Sequence, residues 1–211
     1  KSFSKTNAFL ANRIAIETLL KLEQEQRIPT EKEKHLLARY VGFGGLKEIL
    51  LDPDNDNEWK TQSDMKLRDS VGEIYRVLRL LDKDGTRGLL QSVKRSILNA
   101  HFTAFPIINA IYHAISKAGF QYGNILEPAA GVGNFLAAMP GRMAEESNVT
   151  AIEMDQLTGS ILQKLYPTVE TRITGFEKIN LPENNFNLII SNVPFGDVPV
   201  FDTQLAIHKD K

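Results

Sequence analysis

Ser191-Asn-Val-Pro-Phe-Gly196 follows the apolar run Phe186–Ile190, so an Asn, a Pro and an aromatic stand at the end of an expected buried strand. That combination suits chemistry on a flat, amino-bearing ring. An amine conjugated to a heteroaromatic ring is a poor nucleophile, because its lone pair is delocalised. Two acceptors in a dry pocket can hold both N–H groups and turn the lone pair toward an electrophile. The Asn192 side chain and the Val193 carbonyl are two such acceptors, Pro194 stiffens the turn, and Phe195 offers a stacking face. No strong base is required, since the amine loses its proton readily once alkylated. The plain alternative is an Asn-initiated turn after a strand, the commoner origin of an isolated Asn-x-Pro.

A second group lies upstream. Glu127-Pro-Ala-Ala-Gly-Val-Gly-Asn-Phe135 reads as a strand-to-helix turn rich in small residues. Gly131 and Gly133 would let ligand atoms approach the backbone, and the start of the following helix favours a negative group. This is not the dinucleotide fingerprint, because Leu136 occupies its last glycine position. Glu153 ends the next strand, where a carboxylate can accept both hydroxyls of a ribose. A tight turn and a solvated Glu would explain each feature alone. Their placement at the ends of successive strands favours a nucleoside-bearing cofactor.

The elements that must position these groups change character near residue 100, giving an expected helical N-terminal domain over 1–99 and an α/β domain over 100–211. In the first part, Ala11, Ile14, Ala15, Leu19 and Leu22 fall on one helical stripe. Thr30 and Glu33 have capping-box spacing and open a helix through Tyr40, followed by the Gly42-Phe-Gly-Gly45 turn and a short helix at 46–51. Leu67, Val71, Ile74, Tyr75, Leu78 and Leu81 form a third stripe, and another helix fits 88–98. After residue 100, helices at 106–118, 133–139 and 156–165 alternate with strands at 124–127, 149–153, 169–173 and 186–191. Continuous apolar strands between helices predict a parallel sheet covered on both faces.

Glu127–Phe135 resembles the S-adenosylmethionine motif of class I methyltransferases, especially the DNA enzymes that methylate amino groups, and Ala151-Ile-Glu-Met-Asp155 resembles their second motif. The resemblance implies a Rossmann-like sheet and S-adenosylmethionine as cofactor. It marks Glu127, Pro128, Ala129, Gly131, Gly133, Asn134 and Phe135 as cofactor-binding, with Gly131 lining the methionine portion. Glu153 would hold the ribose and Met154 would pack on the adenine. His101-Phe-Thr-Ala104 resembles the Tyr/Phe-Thr-Pro segment, so Phe102 and Thr103 would touch the methionine end, with Thr103 on the carboxylate. The third motif departs from the family: Gly175-Phe176 stands where Asp-Phe is usual, and Glu177 is the available substitute. Asn192-Val-Pro-Phe195 is similar to the Asn/Asp-Pro-Pro-Tyr/Phe motif of N6-adenine DNA methyltransferases, with Val193 replacing the first Pro. Asn192, Val193, Pro194 and Phe195 would then be the catalytic corner and adenine in DNA the substrate. A duplex hides that amine, so the base must be extruded or single-stranded.

Leu37–Leu46 and Leu98–Thr103 look like the leader of large methylase–helicase proteins of phages and conjugative elements. Those proteins continue with further strands, so the sheet is expected to be truncated after its fourth strand. An apolar edge would invite a homodimer, or pairing with missing C-terminal domains. Two alternatives accompany this reading: a protein glutamine N5-methyltransferase, since an amide nitrogen poses the same problem, and a non-catalytic module of a mobile-element protein.

Composition limits the remaining options. A net charge of −1 argues against a uniformly basic nucleic-acid coat but allows a local basic face. With no Cys, disulfides and thiolate metal sites are excluded and a cytoplasmic location is favoured. Gly42–Gly45 lacks the Lys-Ser/Thr of a phosphate loop, and the acidic stretch from Asp52 has neither the Gly nor the Glu of a calcium loop. The four His share no metal spacing, so no metal site is expected. Lys66, Arg68, Arg76, Arg79 and Lys83, followed by Lys94 and Arg95, read first as a solvated helix face and second as a DNA-facing patch.

Overall fold

A computed structural model describes residues 4–97 and 102–193. Its N-terminal part is built from helices α1 (Lys5–Gln24), α2 (Glu31–Leu37), α3 (Gln62–Leu81) and α4 (Leu89–Ser96). Of the expected α1 stripe, Ala11, Ala15, Leu19 and Leu22 are buried and Ile14 is half-buried, and the helix also buries Ala8, Phe9 and Ile16 in the core it shares with the α3 stripe. Each such fully buried large side chain contributes about 1.5–3 kcal/mol. Thr30 and Glu33 form the anticipated reciprocal cap on α2. That helix stops at Leu37 rather than Tyr40, because the chain turns there and carries Tyr40 and Phe43 into the core. The short helix expected over 46–51 is a 3-10 turn, Lys47–Leu50.

The second part contains α5 (Phe105–Lys117), β1 (Asn124–Glu127), α6 (Asn134–Ala137), α7 (Gly141–Glu146), β2 (Asn148–Glu153), α8 (Gln156–Leu165), β3 (Glu170–Ile173) and β4 (Leu188–Ile189). The strands form a parallel sheet in the order β3-β2-β1-β4. The fold is therefore α/β and Rossmann-like, as the alternation predicts. Helix α7 was not foreseen. It buries only Met143 and is held by the Arg142–Glu146 pair, so it carries too little apolar periodicity to be read.

Ile125 and Val149 are register partners, as are Glu127 and Ala151, so these four share one face of the sheet. Ile125 clusters with Ile108 and Tyr112 of α5, Phe135 of α6 and Met143 of α7. Ala151 clusters with Leu136 of α6 and Leu162 of α8. Among the described residues all four helices thus lie on a single face; Leu126 and Ile152, which point to the other face, are buried as well. The connection from β3 to β4 holds only a 3-10 turn, Phe176–Lys178, and so supplies no helix to the other side.

Helix α8 works in two directions. Leu162 faces the sheet, while Leu157 and Ile161 belong to the core of α1–α4. The N-terminal bundle is consequently a third layer stacked on α8. Arg87 reinforces the junction by donating to Glu23 and to Ser160 Oγ, both at 2.8 Å. No described helix is long and apolar enough to cross a membrane.

Candidate active site

Strand order reverses between β1 and β4: the chain runs outward from β1 through β2 to β3, then returns to β1's other side. In open α/β sheets such a reversal opens a crevice at the carboxyl ends of the strands. Glu127 ends β1 there, and Ile190 N donates to Leu126 O at 3.0 Å, which fixes where the chain leaves β4. Asn192 and Val193 follow at the same end of the sheet as the Pro128–Gly133 turn, and both are exposed. Pro194 and Phe195 lie outside the described residues, as does His101.

Gly131 and Gly133 both have left-handed backbones, with φ of +57° and +86°. The space they free is filled by protein and not left to a ligand. A Cβ at 131 would stand 2.8 Å from the Phe102 ring, and one at 133 would stand 2.6 Å from Tyr166. These glycines let Phe102 and α8 close on the turn from the side a Cβ would occupy. Asn134 Nδ2 donates to Thr103 O at 3.2 Å, so Phe102 and Thr103 are held against the turn. The helix that follows, α6, has four residues, too short for an appreciable helix field. Phe135 is buried and stacks edge-to-face on Tyr112, a core role and not a surface contact. Pro128 and Ala129 are half-buried.

Carboxyl groups dominate the crevice. Glu127 is 2% exposed, and its Oε2 has no hydrogen-bond partner. Burial pushes its carboxyl well above the usual range, and the neighbouring Glu153 adds to the shift. Glu153 Oε2 accepts from Gly131 N at 2.7 Å, and its Oε1 accepts from Asp155 N at 2.8 Å. Burial raises the Glu153 carboxyl to about 7, against the lowering effect of those backbone donors. Met154 is 65% exposed and Phe176 is 51% exposed, one just past β2 and the other just past β3. Thr174 N donates to Glu153 O at 2.9 Å, which keeps the two strand ends level. Glu177 folds back over Gly175, its carboxylate lying where a Cβ at 175 would stand.

Two participants escaped the sequence reading. Ser191 Oγ is buried without a partner at the end of β4. Among the described residues the three buried side-chain atoms without partners are on Glu48, Glu127 and Ser191, and two of these mark the reversal point. Asp155 was quoted only as part of a motif. It caps α8 by accepting from Thr158 N at 2.7 Å, and the Asp155/Thr158 spacing was the available signal.

No protein-family model matches the chain. Over 101 residues it is 32% identical to a protein of Escherichia phage P1 called defense against restriction protein B, covering 47% of this chain and 4% of that protein. The chain thus spans a small fraction of the curated relative it matches. Among solved structures, it resembles a Listeria monocytogenes chain assigned to the class I S-adenosylmethionine-dependent methyltransferases, with 19% identity and a TM-score of 0.40. That match covers 90% of this chain and 61% of the other. A methyltransferase subunit of a type I restriction-modification system from Streptococcus thermophilus matches with 14% identity and a TM-score of 0.40, over 85% and 44% of the two chains.

Proposed function

We propose that this chain carries the cofactor site of an S-adenosylmethionine-dependent methyltransferase acting on the N6 amino group of adenine in DNA. The observation that supports the reading is the reversal of strand order between β1 and β4, two neighbouring parallel strands that lead at the same end of the sheet into the glycine turn and into Asn192. The residues present fit a ligand with a cationic amino-acid end and an adenosine end. Glu127, buried with an unpartnered oxygen, is suited to an ammonium group. Glu153 retains lone pairs for ribose hydroxyls, because a carboxylate offers about four acceptor positions and Gly131 and Asp155 each take one. Met154 and Phe176 expose apolar surface where an adenine would lie. The bound cofactor would supply the electrophilic methyl group. Asn192 Oδ1 and the Val193 carbonyl would hold the two N–H groups of the adenine amine and orient its lone pair, with Phe195 stacking on the base. The likeness to a phage protein named for defence against restriction is in keeping with a reaction on DNA.

Calorimetric titration with S-adenosylmethionine, followed by methyl transfer to unmethylated DNA, tests the reading. Micromolar binding and labelled N6-methyladenine are expected. Asn192→Ala should abolish transfer while leaving cofactor affinity within about twofold, since the side chain is assigned to the amine. Equal loss of both would contradict its role. Binding without transfer to DNA, but with transfer to a glutamine-containing peptide, would replace the substrate. Absence of any cofactor heat would leave a non-catalytic module.

A further inference from the structure

We infer that Ser92 on α4 is a positioning residue for Glu153, so that the N-terminal bundle sets the geometry of the ribose end of the cofactor site. The inference rests on the S-adenosylmethionine reading above. It starts from a continuous run of hydrogen bonds that joins two distant parts of the chain. Ser92 Oγ donates to Asp155 Oδ2, across 63 residues of sequence. The same Ser92 oxygen accepts from Gln156 N at 3.3 Å. The other Asp155 oxygen, Oδ1, is engaged by Thr158 N at 2.7 Å and Thr158 Oγ1 at 2.6 Å. With both carboxylate oxygens held, the Asp155 backbone has little freedom, and its N–H is aimed at Glu153 Oε1 at 2.8 Å. Gly131 N holds the second oxygen, Oε2, at 2.7 Å.

The consequence is geometric. Two backbone N–H groups fix the plane of the Glu153 carboxyl, and that plane sets the directions left for ligand hydroxyls. One of those donors is held by Asp155, whose side chain is anchored at Ser92. Removing the Ser92 hydroxyl frees Asp155 Oδ2, loosens the start of α8 and lets the Glu153 carboxyl rotate.

The test uses the full 211-residue chain and S-adenosylhomocysteine as probe. Ser92→Ala should weaken binding about tenfold, the effect of losing one hydrogen bond to a charged group. Ser92→Thr, which keeps the hydroxyl, should restore it. The Ser92→Ala/Glu153→Gln double variant should bind no more weakly than Glu153→Gln alone, because both act through one carboxyl. Hydrogen exchange at the Gly131 amide should quicken in Ser92→Ala, which a generally destabilised helix would not produce selectively. Wild-type binding with an unaffected Ser92→Ala, additive losses in the double variant, or unchanged Gly131 exchange would each overturn this inference alone. Failure of the wild-type chain to bind the probe would remove the cofactor reading and this inference together.

Discussion

Two raised carboxyls in one crevice give Glu127 and Glu153 a measurable signature. A carboxyl whose folded-state pKa is raised holds its proton more tightly in the folded chain, so it favours folding at low pH. That contribution fades as pH climbs from the ordinary 4.5 toward the folded value, about 7 for Glu153. Denaturant unfolding of Glu153→Gln should therefore gain on the wild type as pH rises from about 4.5 to about 7. A gap constant with pH would show that Glu153 is not desolvated. Ligand binding runs the opposite way. Ribose hydroxyls and a cationic ligand both prefer the ionised carboxyl, so S-adenosylmethionine affinity should rise as pH passes through about 7. The glycine turn gives a second residue-scale expectation. Gly133→Ala must adopt φ near +86° and meet the Tyr166 ring, and should destabilise the chain by about 2 kcal/mol or more.

Much of this was legible in residue order. Glu153 could be placed at a strand end because Val149-Thr-Ala-Ile152 reads as a short strand with an acid directly after it. The use of Gly131 could not be read. The same small residue serves a ligand or a neighbouring ring, and only the fold shows that Phe102 fills the space. Ser92 was invisible for a related reason: a Ser on a short helix carries no sign of an Asp 63 residues away.

At the scale of elements, local signals held wherever the chain supplies its own partner. The Thr30–Glu33 cap needs only residues three apart, and it forms as read. Thr30→Ala should cost about 1 kcal/mol in thermal or denaturant unfolding. The turn after α2 depends on a partner from elsewhere. Asn12, fully buried on α1, donates to Gly42 O at 2.6 Å and accepts from Val41 N at 2.9 Å. Periodicity alone gives Asn12 no task. Asn12→Ala removes both bonds and should destabilise by about 2 kcal/mol. Asn12→Asp, which sets a buried carboxylate oxygen against Gly42 O, should cost at least as much. Helix ends governed by tertiary packing moved furthest from expectation, as at Leu37, where burying Tyr40 and Phe43 outweighs further helix.

At the scale of the whole molecule, the N-terminal bundle and the sheet meet across α8, whose Leu157 and Ile161 complete one core while Leu162 completes another. Change of pattern near residue 100 indicated two parts but could not show that they share a helix. Trp59, the only Trp of the chain, is buried in the bundle core and reports on that part alone. Its fluorescence and the far-ultraviolet circular dichroism of the whole chain should change at the same denaturant concentration. Separate midpoints would mean that α8 does not couple the layers.

Strand β3 is an outer strand of the sheet, and Glu170 and Arg172 pair with each other on it at 2.6 Å while Glu170 also accepts from Thr150. Charge of this kind discourages the attachment of a foreign strand. On β4, the outer strand at the other side of the described sheet, Ile189 is 63% exposed. Exposed apolar surface at Ile189 is a place where crowded molecules would adhere. Replacing Ile189 with Lys is the substitution to make first if concentrated solutions turn cloudy.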